Sequence, residues 1–155
     1  MADTYTQVYI HVVFAVRRRE NLITKQWQEE LYKYITGIIT NKGHKLIAIN
    51  GMPDHIHILI GMKPTMSLSD LVRDIKANSS RFITEKRFVK GKFEWQNGFG
   101  AFSCGQTQLD TIINYIKRQE EHHTTKKISF NEEYLEFLQS YEIDYNKEYL
   151  FEDVE

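Results

Sequence analysis

The stretch GMPDHIHILIGM, residues 51–62, sets a proline turn directly before a run in which two histidines alternate with isoleucine. Successive side chains on a strand point to opposite faces, so His55 and His57 share one face while Ile56, Ile58 and Ile60 share the other. The strand therefore gives up no core position to imidazole. Just upstream, HKLIAIN (residues 44–50) reads as another strand, and the GMPD connection between the two is short enough only for an antiparallel hairpin.

Working outward from this hairpin, the even positions Val8, Ile10, Val12, Phe14 and Val16 are all apolar, which predicts a first strand ending in RRRE. Trp27, Leu31, Ile35, Ile38 and Ile39 fall on one helical face, and residues 41–43 supply a stop. After the hairpin, Ser67 with Asp70 resembles a capping box. Leu68, Leu71, Val72, Ile75, Phe82 and Ile83 then continue at helical spacing to about Lys86. FVKGKFEWQNG (residues 88–98) mixes aromatics, lysines and glycines without a clean period and reads as an exposed loop, and FGAFSCG as a fourth strand. A third helix starts near Thr107 or Gln108, and a last amphipathic segment runs over roughly Asn131 to Tyr141.

A central hairpin with helices in both crossovers is the split βαβ pattern. It predicts an α+β, ferredoxin-like fold of βαββαβ order: a four-stranded antiparallel sheet with two helices on one face, plus C-terminal helices. The isoleucine face then packs on the helices, and the histidine face is left open for a ligand, a partner or the extra helix.

Composition is that of an ordinary globular chain, 41% hydrophobic and 26% charged, and no run approaches a membrane span or shows a secretory signal pattern. The lone cysteine, Cys104, has no internal disulfide partner, which suits a reducing compartment. Charge is divided along the chain: residues 1–128 hold 19 Lys and Arg against 12 Asp and Glu, whereas residues 129–155 hold one against nine. A basic body with an acidic end can bind a polyanion while remaining near neutral overall, although a solvated acidic tail gives the same count.

Two imidazoles on one strand face could converge on a metal ion. An isolated His-x-His is more simply explained as a pair of polar residues on a solvated hairpin face. A second constellation lies in NYIKRQEEHH (residues 114–123). Tyr115 and Gln119, four residues apart, share a helix face on the flank of the stripe formed by Leu109, Ile112, Ile113 and Ile116. From there Gln119 could supply a carbonyl oxygen to a metal and Tyr115 could present a phenol. His122 and His123 point in different directions on a helix and are not expected as ligands. His11 and His44 have no assignable role.

In this order, VYIHVVFAVRRR, GMPDHIHILIGM, SLSDLVRDIKANSSRFI, FEWQNGFGAFS and YIKRQEEHH resemble the single-tyrosine HUH transposases of small insertion sequences, IS200-like and REP-associated, over nearly the whole chain. The resemblance implies a catalytic domain over residues 1–128 with residues 129–155 as its acidic C-terminal segment. It implies His55, His57 and Gln119 as ligands of Mg²⁺ or Mn²⁺. Tyr115 would be the nucleophile that forms a 5′-phosphotyrosine link with single-stranded DNA at hairpin-bearing ends. It further implies a homodimer in which one subunit's tyrosine helix can complete the other's site, and a cytoplasmic, nucleoid-associated location. DNA contacts are expected from Arg17, Arg18, Lys76, Arg81, Lys90, Lys92 and Trp95, basic residues with aromatics among them. Two other readings stand beside this one: a non-catalytic module that binds single-stranded nucleic acid, and a domesticated REP-type endonuclease. A nucleotide phosphohydrolase is disfavoured, because no second histidine motif is present.

Overall fold

The computed structural model describes residues 3–121, 123 and 129–140. Four strands, β1 (Val8–Ala15), β2 (Lys45–Met52), β3 (His55–Met62) and β4 (Gly100–Cys104), form one sheet in the order β2-β3-β1-β4. All three neighbouring pairs are antiparallel. Helix α1 (Gln28–Asn41) joins β1 to β2, and α2 (Leu68–Glu85) joins β3 to β4. Helices α3 (Leu109–Lys117) and α4 (Phe130–Ser140) follow. This is the predicted ferredoxin-like arrangement with its C-terminal helices.

The hairpin is tighter than the sequence suggested. Met52 pairs with His55, leaving only Pro53 and Asp54 in the turn. Ser67 caps α2 by accepting from the Asp70 amide at 3.1 Å, and α1 stops just before Gly43, whose φ of 86° favours glycine.

The alternation of β3 decides the layering. Ile56, Ile58 and Ile60 are fully buried with Val12 and Phe14 of β1, against Leu31, Ile35 and Ile39 of α1 and Leu71, Val72 and Ile75 of α2. Full burial of each isoleucine contributes roughly 1.5–3 kcal/mol relative to exposure. The opposite face carries two smaller clusters. One joins Val13, Ala15 and Phe102 to Phe130, Tyr134 and Leu138 of α4; the other joins Ala48, Leu59 and Cys104 to Ile116 of α3. Of the three occupants expected for this face, a ligand, a partner or the extra helix, it is the helix that covers it, because α4 has its own apolar stripe and seats it on the sheet. Gly100 marks how closely it sits: a Cβ there would lie 2.7 Å from the Tyr134 ring.

The loop expected to be exposed is also corrected. Trp95 makes an isolated bridge with Val16, and Phe93 and Trp95 are buried in the main core. Only one side of this stretch, with Lys90 and Lys92, faces solvent. The period-two alternation of Phe93 and Trp95 with Lys92 and Glu94 is real, but it is too short to register as a strand among glycines.

Candidate metal centre and nucleophile

Register puts the two histidines together with β1. Val13 lies opposite His57 and Ala15 opposite His55, so both imidazoles rise from the face that α3 and α4 cover. They are almost wholly buried, at 1% and 0% exposure. Buried polar atoms need partners, and all four ring nitrogens have one. His55 Nδ1 is 2.7 Å from Asp54 Oδ1, and its Nε2 is 3.1 Å from Gln119 Oε1. His57 Nδ1 is 2.8 Å from His11 Nε2, and its Nε2 is 2.9 Å from Glu133 Oε1. Each ring is backed through Nδ1 and aims Nε2 at a common point.

Helix α3 brings the other two predicted residues there. It ends at Arg118, which leaves the α-helical region at φ −98° and ψ 25°, and Gln119 opens a further helical stretch beyond this break. Gln119 is completely buried, and its amide Nε2 donates to Glu133 Oε2 at 3.3 Å. The Tyr115 hydroxyl donates to the same carboxylate, and its ring stands edge-on to His57 with centroids 5.8 Å apart. The structure thus gathers Tyr115, His55, His57 and Gln119 within one chain.

At the centre is a residue the sequence did not single out. Glu133, on α4, is 3% exposed and also lies 3.4 Å from His55 Nε2 and 3.3 Å from His123 Nε2. His123 therefore borders the site; His122 lies outside the described residues. Ligand atoms of His55, His57 and Glu133 all fall within 4.8 Å of one another, so this cluster could hold a metal ion. Two imidazole nitrogens with carboxylate and amide oxygens form a donor set suited to a first-row divalent ion.

Electrostatics follow from burial and that carboxylate. Burial works against a charge on His55, but Asp54 and Glu133 outweigh it and push its pKa up to about 9. Burial holds His57 below the ordinary imidazole range despite Glu133. For Glu133, burial is outweighed by His57, His123 and His55, which hold its carboxyl far below the usual range. Burial and then Glu133 drive the Tyr115 hydroxyl well above its usual range, so in this closed arrangement the phenol is a hydrogen-bond donor. Asp54 is kept ionised against burial by His55 and by Arg19, whose guanidinium is 2.9 Å away.

Residues 4–119 match the family described as IS200-like transposases. The chain belongs to that family. The transposase is 23% identical to the ISDra2 transposase TnpA of Deinococcus radiodurans, over 74% of this chain and 86% of that one. It is 27% identical to the transposase for insertion sequence element IS200 of Salmonella typhimurium, over 78% of this chain and 82% of the relative. Its fold is similar to that of a REP-associated tyrosine transposase solved with a REP hairpin bound, with a TM-score of 0.59 and 20% identity over 80% and 73% of the two chains. Helix α4, and with it Glu133, lies beyond the segment that matches the family.

The transposase's basic residues divide into groups. Arg17, Lys76 and Lys92 line a groove of about 840 Å³ between α2 and the 92–99 segment, with Arg73 beside them. Arg18, Arg81 and Lys90 are exposed outside it. Burial lowers Lys76 to about 8; its ammonium is fixed to the carbonyls of Gln96 and Gly98, at 2.7 and 2.5 Å. Arg17 pairs with Glu94. One expected contact is redirected. Trp95 also lines the groove but is only 8% exposed, stands edge-on to Phe14 and donates to Ser79 Oγ at 2.9 Å, so little of its ring is left for base stacking. Arg19, the third arginine of RRR, turns inward in a left-handed conformation (φ 55°) to hold Asp54 and lie over the Phe130 ring.

Some of the missed residues left a trace in the sequence. Asp54 directly precedes His55 at the hairpin turn, and His11 occupies a polar-face position of β1, but its role needs the register that sets it diagonal to His57. Glu133 is one acid among many in its segment.

Proposed function

We propose that this chain cleaves and rejoins single-stranded DNA at hairpin-bearing ends by transesterification, with Tyr115 as the nucleophile. The observation that carries the reading is the meeting of the Tyr115 hydroxyl, His55, His57 and Gln119 at one buried point in an IS200-like transposase. The Tyr115 oxygen attacks the scissile phosphorus. A Tyr–O–P bond forms as the phenol gives up its proton and the P–O3′ bond breaks, and the leaving 3′ oxygen takes up a proton. The 5′-phosphotyrosine conserves the bond energy, so attack by another 3′-hydroxyl rejoins a strand without ATP.

His55, His57 and Gln119 would hold Mg²⁺ or Mn²⁺, the imidazoles favouring Mn²⁺. A divalent ion there would polarise the scissile phosphate and neutralise developing charge. With the histidines and Gln119 buried and the half-buried Tyr115 tied to α4 through Glu133, a phosphate reaches them only when Glu133 yields its place. The carboxylate stands where an anionic substrate group would bind. The solved relative's hairpin ligand supports hairpin DNA as the partner, and the groove of Arg17, Lys76 and Lys92 with the exposed Arg18, Arg81 and Lys90 suits phosphate contact.

Residues 1–128 and the acidic segment are read as one domain, since α4 packs on the sheet; residues 141–155 lie outside the described part. A homodimer that exchanges tyrosine helices belongs to the same proposal, although here Tyr115 meets its own chain's histidines. Mixing Tyr115→Phe with His57→Ala subunits tests it, because exchange restores cleavage in the mixture. Among the described residues no helix is long and apolar enough to cross a membrane.

The closed site also favours a second reading, a module that holds single-stranded nucleic acid without cutting it. Incubating the protein with single strands copied from the DNA flanking its gene, with Mn²⁺, separates the two. A slower, protease-sensitive band on a denaturing gel that Tyr115→Phe abolishes supports cleavage; binding with no such band supports the module.

A further inference from the structure

We propose that His11 is a positioning residue that turns the Nε2 atom of His57 toward the metal, as Asp54 does for His55. The inference rests on the metal-site reading above. On β1, His11 lies opposite Leu59, so it shares a face with His57 and meets it diagonally across the β1–β3 ladder. The contact is a hydrogen bond of 2.8 Å between His11 Nε2 and His57 Nδ1. His11 is fully buried, with its ring 5.2 Å from Phe137 and 6.2 Å from Phe102 between centroids, so no water competes for the bond.

Hydrogen bonding fixes the tautomers. A carboxylate can only accept, so in the closed site His57 Nε2–H donates to Glu133, and His57 Nδ1 accepts from His11 Nε2–H. A metal ligand needs a lone pair on Nε2. His57 therefore moves its proton to Nδ1 and donates it to His11 Nε2. His11 in turn shifts its own proton to Nδ1, an atom without a hydrogen-bond partner among the described residues. Neither ring changes charge. This suits a histidine that full burial keeps neutral.

The two ligands thus differ in their support. The Asp54 carboxylate makes His55 the more basic donor, whereas His11 orients His57 without adding charge. Supporting partners of this kind typically change metal affinity or activity by about 10- to 100-fold when removed. A glutamine at position 11 can place an amide group near the position of Nε2, whereas leucine fills the space and offers nothing.

The test is Mn²⁺ titration followed by electron paramagnetic resonance of the free ion, on the full chain without DNA, with circular dichroism as a fold control. His11→Leu is expected to weaken Mn²⁺ binding by about tenfold or more, with His11→Gln within about threefold of the unmodified protein. Equal affinity in folded His11→Leu, or equal losses in both variants, overturns the proposal. Should His11→Leu not fold, ¹⁵N NMR of the unmodified protein with Zn²⁺ decides: a proton on His57 Nδ1 is expected, and ligation through Nδ1 contradicts it. Failure of the unmodified protein to bind any divalent ion would instead overturn the metal-site reading itself.

Discussion

Glu133 accepts a hydrogen bond from the Tyr115 hydroxyl while standing 2.9 Å from His57 Nε2, so one carboxylate of α4 occupies both the proposed nucleophile and a proposed metal-binding nitrogen. That carboxylate holds the site closed and the phenol protonated. Glu133→Ala is expected to raise the rate of single-strand cleavage by about two- to tenfold, as removal of a group competing with substrate should. Gly100→Ala, which forces the Tyr134 ring away, should act in the same direction. Loss of cleavage in Glu133→Ala would make Glu133 an obligatory ligand instead.

His57→Ala should abolish cleavage and weaken Mn²⁺ binding while leaving DNA affinity within about threefold, because the proposed phosphate contacts lie elsewhere. Chelation of divalent ions should act like the mutation. Full activity in excess chelator contradicts the metal role.

Stability of the metal-free protein should fall between neutral and alkaline pH. His55 has a folded pKa of about 9, above its ordinary 6.5, so its contribution is fully present below about pH 6.5 and is lost as pH rises through about 9. A metal-bound imidazole nitrogen carries no proton, so saturating Mn²⁺ or Zn²⁺ should flatten this dependence. Chemical denaturation at a series of pH values, with and without metal, measures both effects.

Trp95 should behave as a core residue. Trp95→Phe keeps the packing against Phe14 but leaves the Ser79 hydroxyl without its indole donor, at a cost of about 1 kcal/mol; Trp95→Ala should cost about 3–5 kcal/mol. DNA affinity of the folded Trp95→Phe protein should be unchanged, and a large loss would restore the stacking role. For comparison, Lys92→Ala should weaken binding of all single strands alike and lower the salt slope by about 0.7.

The sheet, its order and the two crossover helices were legible because β1, α1, β3 and α2 each carry an unbroken apolar period. Period two alone placed Ile56, Ile58 and Ile60 in the core and His55 with His57 on the other face. It could not say that this face is covered, since α4 supplies the cover through tertiary packing of Phe130, Tyr134 and Leu138. Tyr115 and Gln119 were found by their shared helical face, whereas His11 needed strand register. Glu133 had no local signal, and Trp95 was misplaced because glycines and lysines mask its short alternation with Phe93.

The central claim is that Tyr115 becomes covalently joined to DNA, and mass spectrometry of the digested reaction tests it most directly. Trypsin releases Tyr115 within residues 93–117, of which it is the only tyrosine. After incubation with Mn²⁺ and a single strand from the DNA flanking the gene, then nuclease and trypsin, that peptide should carry a 5′-linked nucleotide localised by fragmentation to Tyr115. Cleaved DNA with the peptide unmodified, or a nucleotide on any other residue, would contradict the account.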